Sequence, residues 1–183
     1  YQRSLIVFGG PLANFLLALL IFTLINIFVG KDFTQPKIEE ITINSPAEKA
    51  GLKKNDIIIG INNNKVESIL EVSTYINTNN SDKLNIEVLR NKKKISLIAI
   101  PEIIEAKDPL GNSIKKKIIG IKIGPANNDF NKEKLGPTKA IYYAVKEIWF
   151  VSKTTIQFVG SMFQGKADTS QLGGPIKIAK ISG

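Results

Sequence analysis

From Ser4 to Gly30 the chain carries no charged residue, and Arg3 and Lys31 bound the run. Within it, Leu12 to Val29 is interrupted only by Asn14, Thr23 and Asn26. A helix of about 20 apolar residues matches the roughly 30 Å hydrocarbon core of a bilayer. The run therefore predicts a transmembrane helix over 1–31, which ties whatever follows to a membrane. A signal peptide is the competing reading, but its apolar region would run about 7–15 residues into a small-residue cleavage site. Here the run leads into Phe28-Val29-Gly30-Lys31, a poor cleavage context. Just ahead of the span, Gly9-Gly10-Pro11 breaks the helical pattern. Two readings of that break stand side by side: a broken membrane helix whose backbone lines a protein-buried site, or a plain helix start with Pro11 in the first turn.

The 183 residues suffice for one packed domain with extra elements. Opening at Tyr1 and stopping at Gly183 inside what reads as an unfinished element, the chain is expected to be an excerpt of a longer protein. It has no cysteine and no histidine. Thiol nucleophiles, thiolate metal sites and disulfides are thereby excluded, and neither a histidine zinc site nor a Ser-His-Asp triad can be completed from these residues alone. The net charge is +9, with basic runs at Lys92 to Lys94 and Lys115 to Lys117. No aromatic residue is interleaved with those runs, as base-stacking surfaces require, so no nucleic-acid partner is expected. A basic face beside anionic lipid, or a plain surplus of lysine in a chain rich in Lys, Ile and Asn, accounts for the charge.

From Gln35 to Pro101 the pattern is α+β. Ile41 to Asn44 alternates as part of a strand over 38–44, while Glu39-Glu40 breaks the period at a bulge or at the strand's true start. Ser45-Pro46-Ala47-Glu48 is an N-cap followed by Pro at the first helical position and an acid in the first turn, opening a short helix that ends at Gly51. A nearly continuous apolar strand over 56–61 follows, then the turn Asn62-Asn63-Asn64 and a helix over 68–77 with Ile69, Val72 and Ile76 on one face. Segments 83–89 and 94–100 flank Arg90-Asn91-Lys92-Lys93 and read as a hairpin with a basic turn. Residues 106–116 read as a polar loop leading to a last strand over 118–123, and 127–136 as a linker. A helix over 138–163 carries Ile141, Val145, Ile148, Ile156, Val159 and Phe163 on one face. Charges at its middle argue against a membrane span, and Tyr142, Tyr143 and Trp149 suit a polar-apolar boundary, so it reads as an interfacial or domain-packing amphipathic helix.

The run Ser45-Pro46-Ala47-Glu48-Lys49-Ala50-Gly51-Leu52-Lys53-Lys54-Asn55-Asp56-Ile57-Ile58 resembles the SPAxxAGLxxGDxI core of bacterial PDZ domains. Asn55 stands where that motif has glycine, and asparagine is the next residue most tolerant of a left-handed backbone. PDZ domains add an extended peptide or a C-terminus to a sheet edge beside a helix. Their GLGF-like element usually lies near the domain's start; here Ile118-Ile119-Gly120-Ile121 resembles it at the C-terminal end, a circularly permuted order similar to that of site-2 proteases. On that resemblance the peptide groove is formed by Ile119, Gly120, Ile121 and Ile123 with Ile69, Val72 and Ile76. The flanks extend the likeness. Gly9-Gly10-Pro11-Leu12-Ala13-Asn14-Phe15 is similar to the AGPxxNF motif of the second core helix of that family, giving Gly10, Pro11 and Asn14 as its membrane-helix motif. Gly173-Gly174-Pro175-Ile176-Lys177-Ile178-Ala179-Lys180 resembles the SGPIxIAK segment leading into the third.

The resemblance implies an α+β chain with a transmembrane helix at 1–31, a permuted PDZ domain at 36–125, and at 126–183 a linker, an amphipathic helix and the approach to another membrane helix. It implies a parent zinc metalloprotease of regulated intramembrane proteolysis. The HExxH helix would lie before Tyr1 and the NxxPxxxxDG ligand after Gly183, so no catalytic or metal role falls on any residue here; Asp56, Asp82 and Asp108 read as turn and strand-approach residues. The partners implied are transmembrane substrates, a peptide or C-terminus in the groove, and lipid. The location implied is the bacterial inner membrane, with the PDZ domain outside the cytoplasm; Arg3 and Lys31 balance and do not orient the helix. A non-catalytic, membrane-anchored PDZ adaptor of a secretion or envelope system is the alternative. A PDZ-bearing serine protease would leave little room for the GPxxN helix directly before the PDZ domain.

Overall fold

The computed structural model describes residues 2–79, 81–107, 113–127 and 129–163. Helix α1 (Gln2–Phe28) opens the chain. Its stretch Gly9–Phe28 has 20 residues and a mean hydropathy of 2.2, and almost none of it is buried. At 1.5 Å per residue this is about 30 Å of apolar helix, enough to cross a bilayer. The helix runs unbroken through Gly9-Gly10-Pro11, so Pro11 sits in its interior rather than in a first turn or at a break. A proline there forfeits one intrahelical bond, and the intact ladder on both sides carries the helix past it. Thr23 satisfies its hydroxyl on the Leu19 carbonyl at 2.7 Å.

The remaining elements are β1 (Lys31–Asp32), β2 (Pro36–Ile41), α2 (Pro46–Lys49), β3 (Ile57–Ile61), β4 (Asn64–Lys65), α3 (Ile69–Thr78), β5 (Leu84–Arg90), β6 (Lys93–Ala99), β7 (Glu102–Lys107), β8 (Ser113–Ile118), β9 (Ile121–Pro125), β10 (Lys132–Glu133) and α4 (Pro137–Phe163). The main sheet has the order β6-β5-β3-β2-β9, with β4 paired to β3. Its strands alternate. In β5 the inward side chains Leu84, Ile86 and Val88 are all fully buried, as a period of two requires on a sheet with one covered face. They pack with Ile38, Ile58, Ile61 and Val72, each at most 1% exposed, into one core. The pairing of β2 with β9 shifts register between Ile38 and Glu40, which makes Glu39 a bulge.

Three expectations are corrected. The loop expected over 106–116 is largely the arms of a hairpin, β7 with β8, in register Glu105↔Lys115 and Ile103↔Lys117. Both faces of β7 are open, so no inward-outward alternation marks it in the sequence; cross-strand pairing, including Glu105 opposite Lys115, defines it instead. The single strand expected over 118–123 is divided at Ile119-Gly120 into the end of β8 and the start of β9. The linker over 127–136 contains β10, which pairs with β1 at the foot of α1.

Helix α4 is present, but its apolar stripe points outward: Ile141, Val145, Ile156 and Val159 are 43% to 71% exposed. The buried side chains are small, with Ala140, Ala144 and Thr154. Small side chains let two backbones approach closely, and Asn26 of α1 uses that proximity. Its side chain donates to the Ala140 carbonyl at 3.2 Å, and its own carbonyl accepts from Leu135 N–H at 3.0 Å. The glycine-proline segment at 173–180, the side chain of Phe163 and the aspartate at 108 lie outside the described residues.

Candidate functional site: the open edge of the sheet

The Ser45 motif supplies the platform of the site. Ser45 caps α2 by accepting from Glu48 N–H at 3.3 Å, and the Glu48 carboxylate accepts from Asn44 N–H at 2.6 Å. The chain leaves α2 through Gly51 at φ +83°, and Asn55 adopts φ 72°, the left-handed backbone for which it stands in place of glycine. Asn55 N–H then bonds the Ile38 carbonyl at 2.8 Å, delivering Asp56 to the start of β3. Asp56 is 1% exposed and held by a two-pronged pair with Arg90, both contacts 2.7 Å, and by Lys53 N–H at 2.8 Å.

Onto that platform the break between β8 and β9 is fastened by its carbonyls. Ala47 N–H donates to Ile119 O at 2.8 Å and Thr42 N–H to Gly120 O at 2.9 Å. A trans peptide points its N–H opposite to its C=O, so the amides of Gly120 and Ile121 turn away from α2 and β2. The Thr42–Gly120 bond also makes Ile41 and Ile121 a non-hydrogen-bonded pair, which leaves the N–H and C=O of Ile121 facing the open side of β9. Gly120 has φ +77°, and a Cβ there would stand 2.3 Å from the Cβ of Ser45. Glycine is therefore required twice, by conformation and by space.

Between this edge and α3 lies a cleft of about 410 Å³. Ile119, Gly120, Ile121, Ile123 and Ile76 all line it, so five of the seven residues expected in a groove are brought together. Val72 is 0% exposed and belongs to the core, and Ile69 is half-buried outside the lining. The helical wall is set one step around α3, at Ser73, Ile76 and Asn77, which share a face by their three- and four-residue spacing. The apolar stripe of α3 marks the side that meets the sheet, so its polar neighbours were not legible as wall. Sequence reasoning also missed Glu40, Lys116, Lys117 and Lys122; the lysine run was visible, but not what it faces. Asn77 secures β8 to α3 by accepting from Lys117 N–H at 3.3 Å, and the Lys117 ammonium donates to the Asn79 carbonyl.

A second group of charges joins α4 to β1 and to the sheet unit. Lys31 pairs with Glu147 at 3.2 Å, Lys146 with Glu67 at 3.1 Å, and Lys153 donates to the Asn64 side chain at 2.8 Å. Burial raises the Glu67 carboxyl, but hydrogen bonds from Lys146 and Lys65 outweigh it and leave it below the ordinary value. Burial pushes the Glu71 carboxyl up, helped by the Glu67 and Glu147 charges, against the Glu67 N–H that it accepts. Tyr75, edge-on to Phe150 at 5.5 Å, is pushed up to about 12 by burial and by Glu71, Glu67 and Glu147, so it packs as a neutral phenol. In α1, Gly10, Pro11 and Asn14 are exposed. Among the described residues no group of three or more His, Cys, Asp or Glu side chains is placed to hold a metal ion.

The model of peptidase family M50 matches residues 1–183. The chain is 33% identical over 186 residues to "Putative zinc metalloprotease mll0638" of Mesorhizobium japonicum, covering 100% of this chain and 50% of that protein. It is 28% identical over 183 residues to Metalloprotease MmpA of Caulobacter vibrioides, covering 100% of this chain and 45% of that protein. The chain thus spans about half the length of the curated relatives it matches. Among solved structures it is similar to the PDZ domain of the SdrC-like protein of Listeria monocytogenes, with 22% identity, a TM-score of 0.39, and coverage of 50% of this chain and 88% of that one. It is also similar to the HtrA3 PDZ domain bound to a phage-derived ligand, with 19% identity, a TM-score of 0.34, and coverage of 40% and 88%.

Proposed function

The chain belongs to peptidase family M50, and from that membership we propose that it is the membrane-anchored, substrate-selecting part of a zinc metalloprotease that cuts transmembrane proteins. The observation that carries its own share of the work is the β9 edge: the outward amides of Gly120 and Ile121, beside an apolar floor and a helix, offer an extended peptide a strand to pair with and its terminal carboxylate two donors. The groove is Ile119, Gly120, Ile121 and Ile123 with Ile76, Ser73 and Asn77, in a permuted PDZ unit spanning 36–125. Family and apolar helix together mark a membrane protein; we place it in the bacterial inner membrane with the sheet unit on the extracytoplasmic side.

Zinc does not fit the residues present: the chain has no histidine or cysteine, and no carboxylate cluster stands in among the described residues. The donors are assigned to parts of the parent protein outside 1–183, so no chemical step is routed through this chain. Its role is to admit and hold substrate. Asn14, exposed on α1 at bilayer depth, is given a supporting role toward the buried site, since a polar amide facing only lipid is costly.

The test is cleavage of a single-span substrate by the full-length parent in proteoliposomes. Zinc chelation is expected to abolish cleavage and Gly120→Trp to reduce it several-fold, with Asn14→Leu also reducing it. Chelator-insensitive or absent cleavage would overturn the protease reading. Full activity of Gly120→Trp would remove the groove from it.

A further inference from the structure

The charges around the cleft are one-sided. Lys116 and Lys117 stand at the end of β8, directly before the Ile119-Gly120 break, and Lys122 stands on β9. Against these three cations the lining holds a single carboxylate among the described residues, Glu40, which pairs with Lys122 at 3.2 Å with both side chains well exposed. An exposed pair of that kind contributes little and exchanges readily. Lys117 already bonds the Asn79 carbonyl, which fixes its ammonium beside the helical wall rather than removing its charge. The floor is apolar, with Ile119, Ile121 and Ile123, and the helical wall adds Ile76 and the Ser73 hydroxyl.

We propose that this groove selects an extended peptide that ends in an aliphatic residue with a free carboxylate and carries Asp or Glu among the few residues before it. The inference rests on the groove reading above and adds the charge of the ligand. The apolar floor takes the last side chain, and the outward amides of Gly120 and Ile121 take the carboxylate. Lys116, Lys117 and Lys122 flank that strand, so acidic side chains gain attraction there while basic ones are repelled, which is selection by charge complementarity. The net charge of the chain, +9, reinforces the approach of such a ligand at low ionic strength.

The experiment is fluorescence polarisation with the full chain in neutral phosphatidylcholine nanodiscs and three labelled decapeptides. The first ends in isoleucine and has two glutamates among the preceding four residues; the second replaces them by glutamine; the third is the first with an amidated terminus. The acidic peptide is expected to bind roughly fivefold tighter than its glutamine counterpart in low salt, and the advantage is expected to shrink in 0.5 M NaCl, at a screening length of about 4 Å. The pair Lys116→Gln and Lys122→Gln, both exposed, is expected to erase the advantage without moving the thermal transition, and to weaken the glutamine peptide far less than the acidic one. Equal binding of the first two peptides, with the amide much weaker, overturns the acidic preference and leaves the groove standing. Equal binding of the amide, or no binding of any peptide, overturns the groove reading and this inference with it. Loss of the acidic advantage in phosphatidylglycerol nanodiscs assigns the lysines to lipid headgroups and likewise overturns it.

Discussion

Asp56 shows how much one residue carries in this fold. Its carboxylate is almost fully buried, and Arg90, reaching across from the end of β5, supplies two of its donors. Arg90→Ala strands that charge and is expected to cost about 3 kcal/mol, read as a fall in the denaturation midpoint. Arg90→Lys is expected to recover only part of it, because a single ammonium cannot reproduce the fork. Val72 and Ser73 make a second contrast between neighbours. Val72→Glu places a charge in the core, with an effective penalty of several kcal/mol, so peptide binding and the thermal transition are lost together. Ser73→Ala, on an exposed position of the wall, is expected to leave the transition in place and alter peptide affinity alone. At this scale the sequence was informative where chemistry is local. The Ser45 cap, the Gly51 exit and the left-handed Asn55 each follow from a few adjacent residues. The partner of Asp56, 34 positions away in the chain, does not.

At the level of elements, the segment leading into α3 is tied to α4 by the Glu67–Lys146 pair, and Glu71 of α3 accepts from Glu67 N–H. Glu71 is raised above its ordinary value of 4.5, so the folded protein binds this proton more tightly than the unfolded chain does. Stability from this group therefore falls as pH rises from 4.5 through the raised value. Glu67 works in the opposite sense: its lowered value gives stability that is present above 4.5 and lost as pH drops below it. Glu71→Gln is expected to flatten the first slope in a pH series of thermal denaturation, since an amide oxygen can still accept from Glu67 N–H. The two hairpins show what periodicity can and cannot deliver. β5 and β6 read clearly because one face is buried, whereas β7 has no buried face and is defined by its pairing with β8.

For the whole molecule, the exposed side of α4 is continuous in character with the apolar surface of α1. Trp149, 71% exposed and the chain's one tryptophan, sits on that side with Tyr142 and Val145. An aromatic in that position suits the headgroup region, so its emission is expected to shift to the blue when the protein passes from detergent into lipid nanodiscs. Unchanged emission would instead assign the face to contact with protein.

Length and apolarity of the first helix, the capped Ser45 turn, and the succession β2, α2, β3, α3, β5, β6 are written in short stretches of residues, because each depends on local periodicity, backbone preference or a side chain a few positions away. Only the folded chain decided which side of α3 faces the cleft, which side of α4 packs, and what the lysines confront. Those outcomes depend on surfaces brought together from distant positions. Ile141, Val145, Ile156 and Val159 of α4 share one exposed face, and the helix packs on α1 instead through the alanines beside that face, where Asn26 reaches the Ala140 carbonyl. The uncharged opening run thus established an apolar helix long enough to cross a bilayer; tertiary contact alone established which faces remain open for a partner.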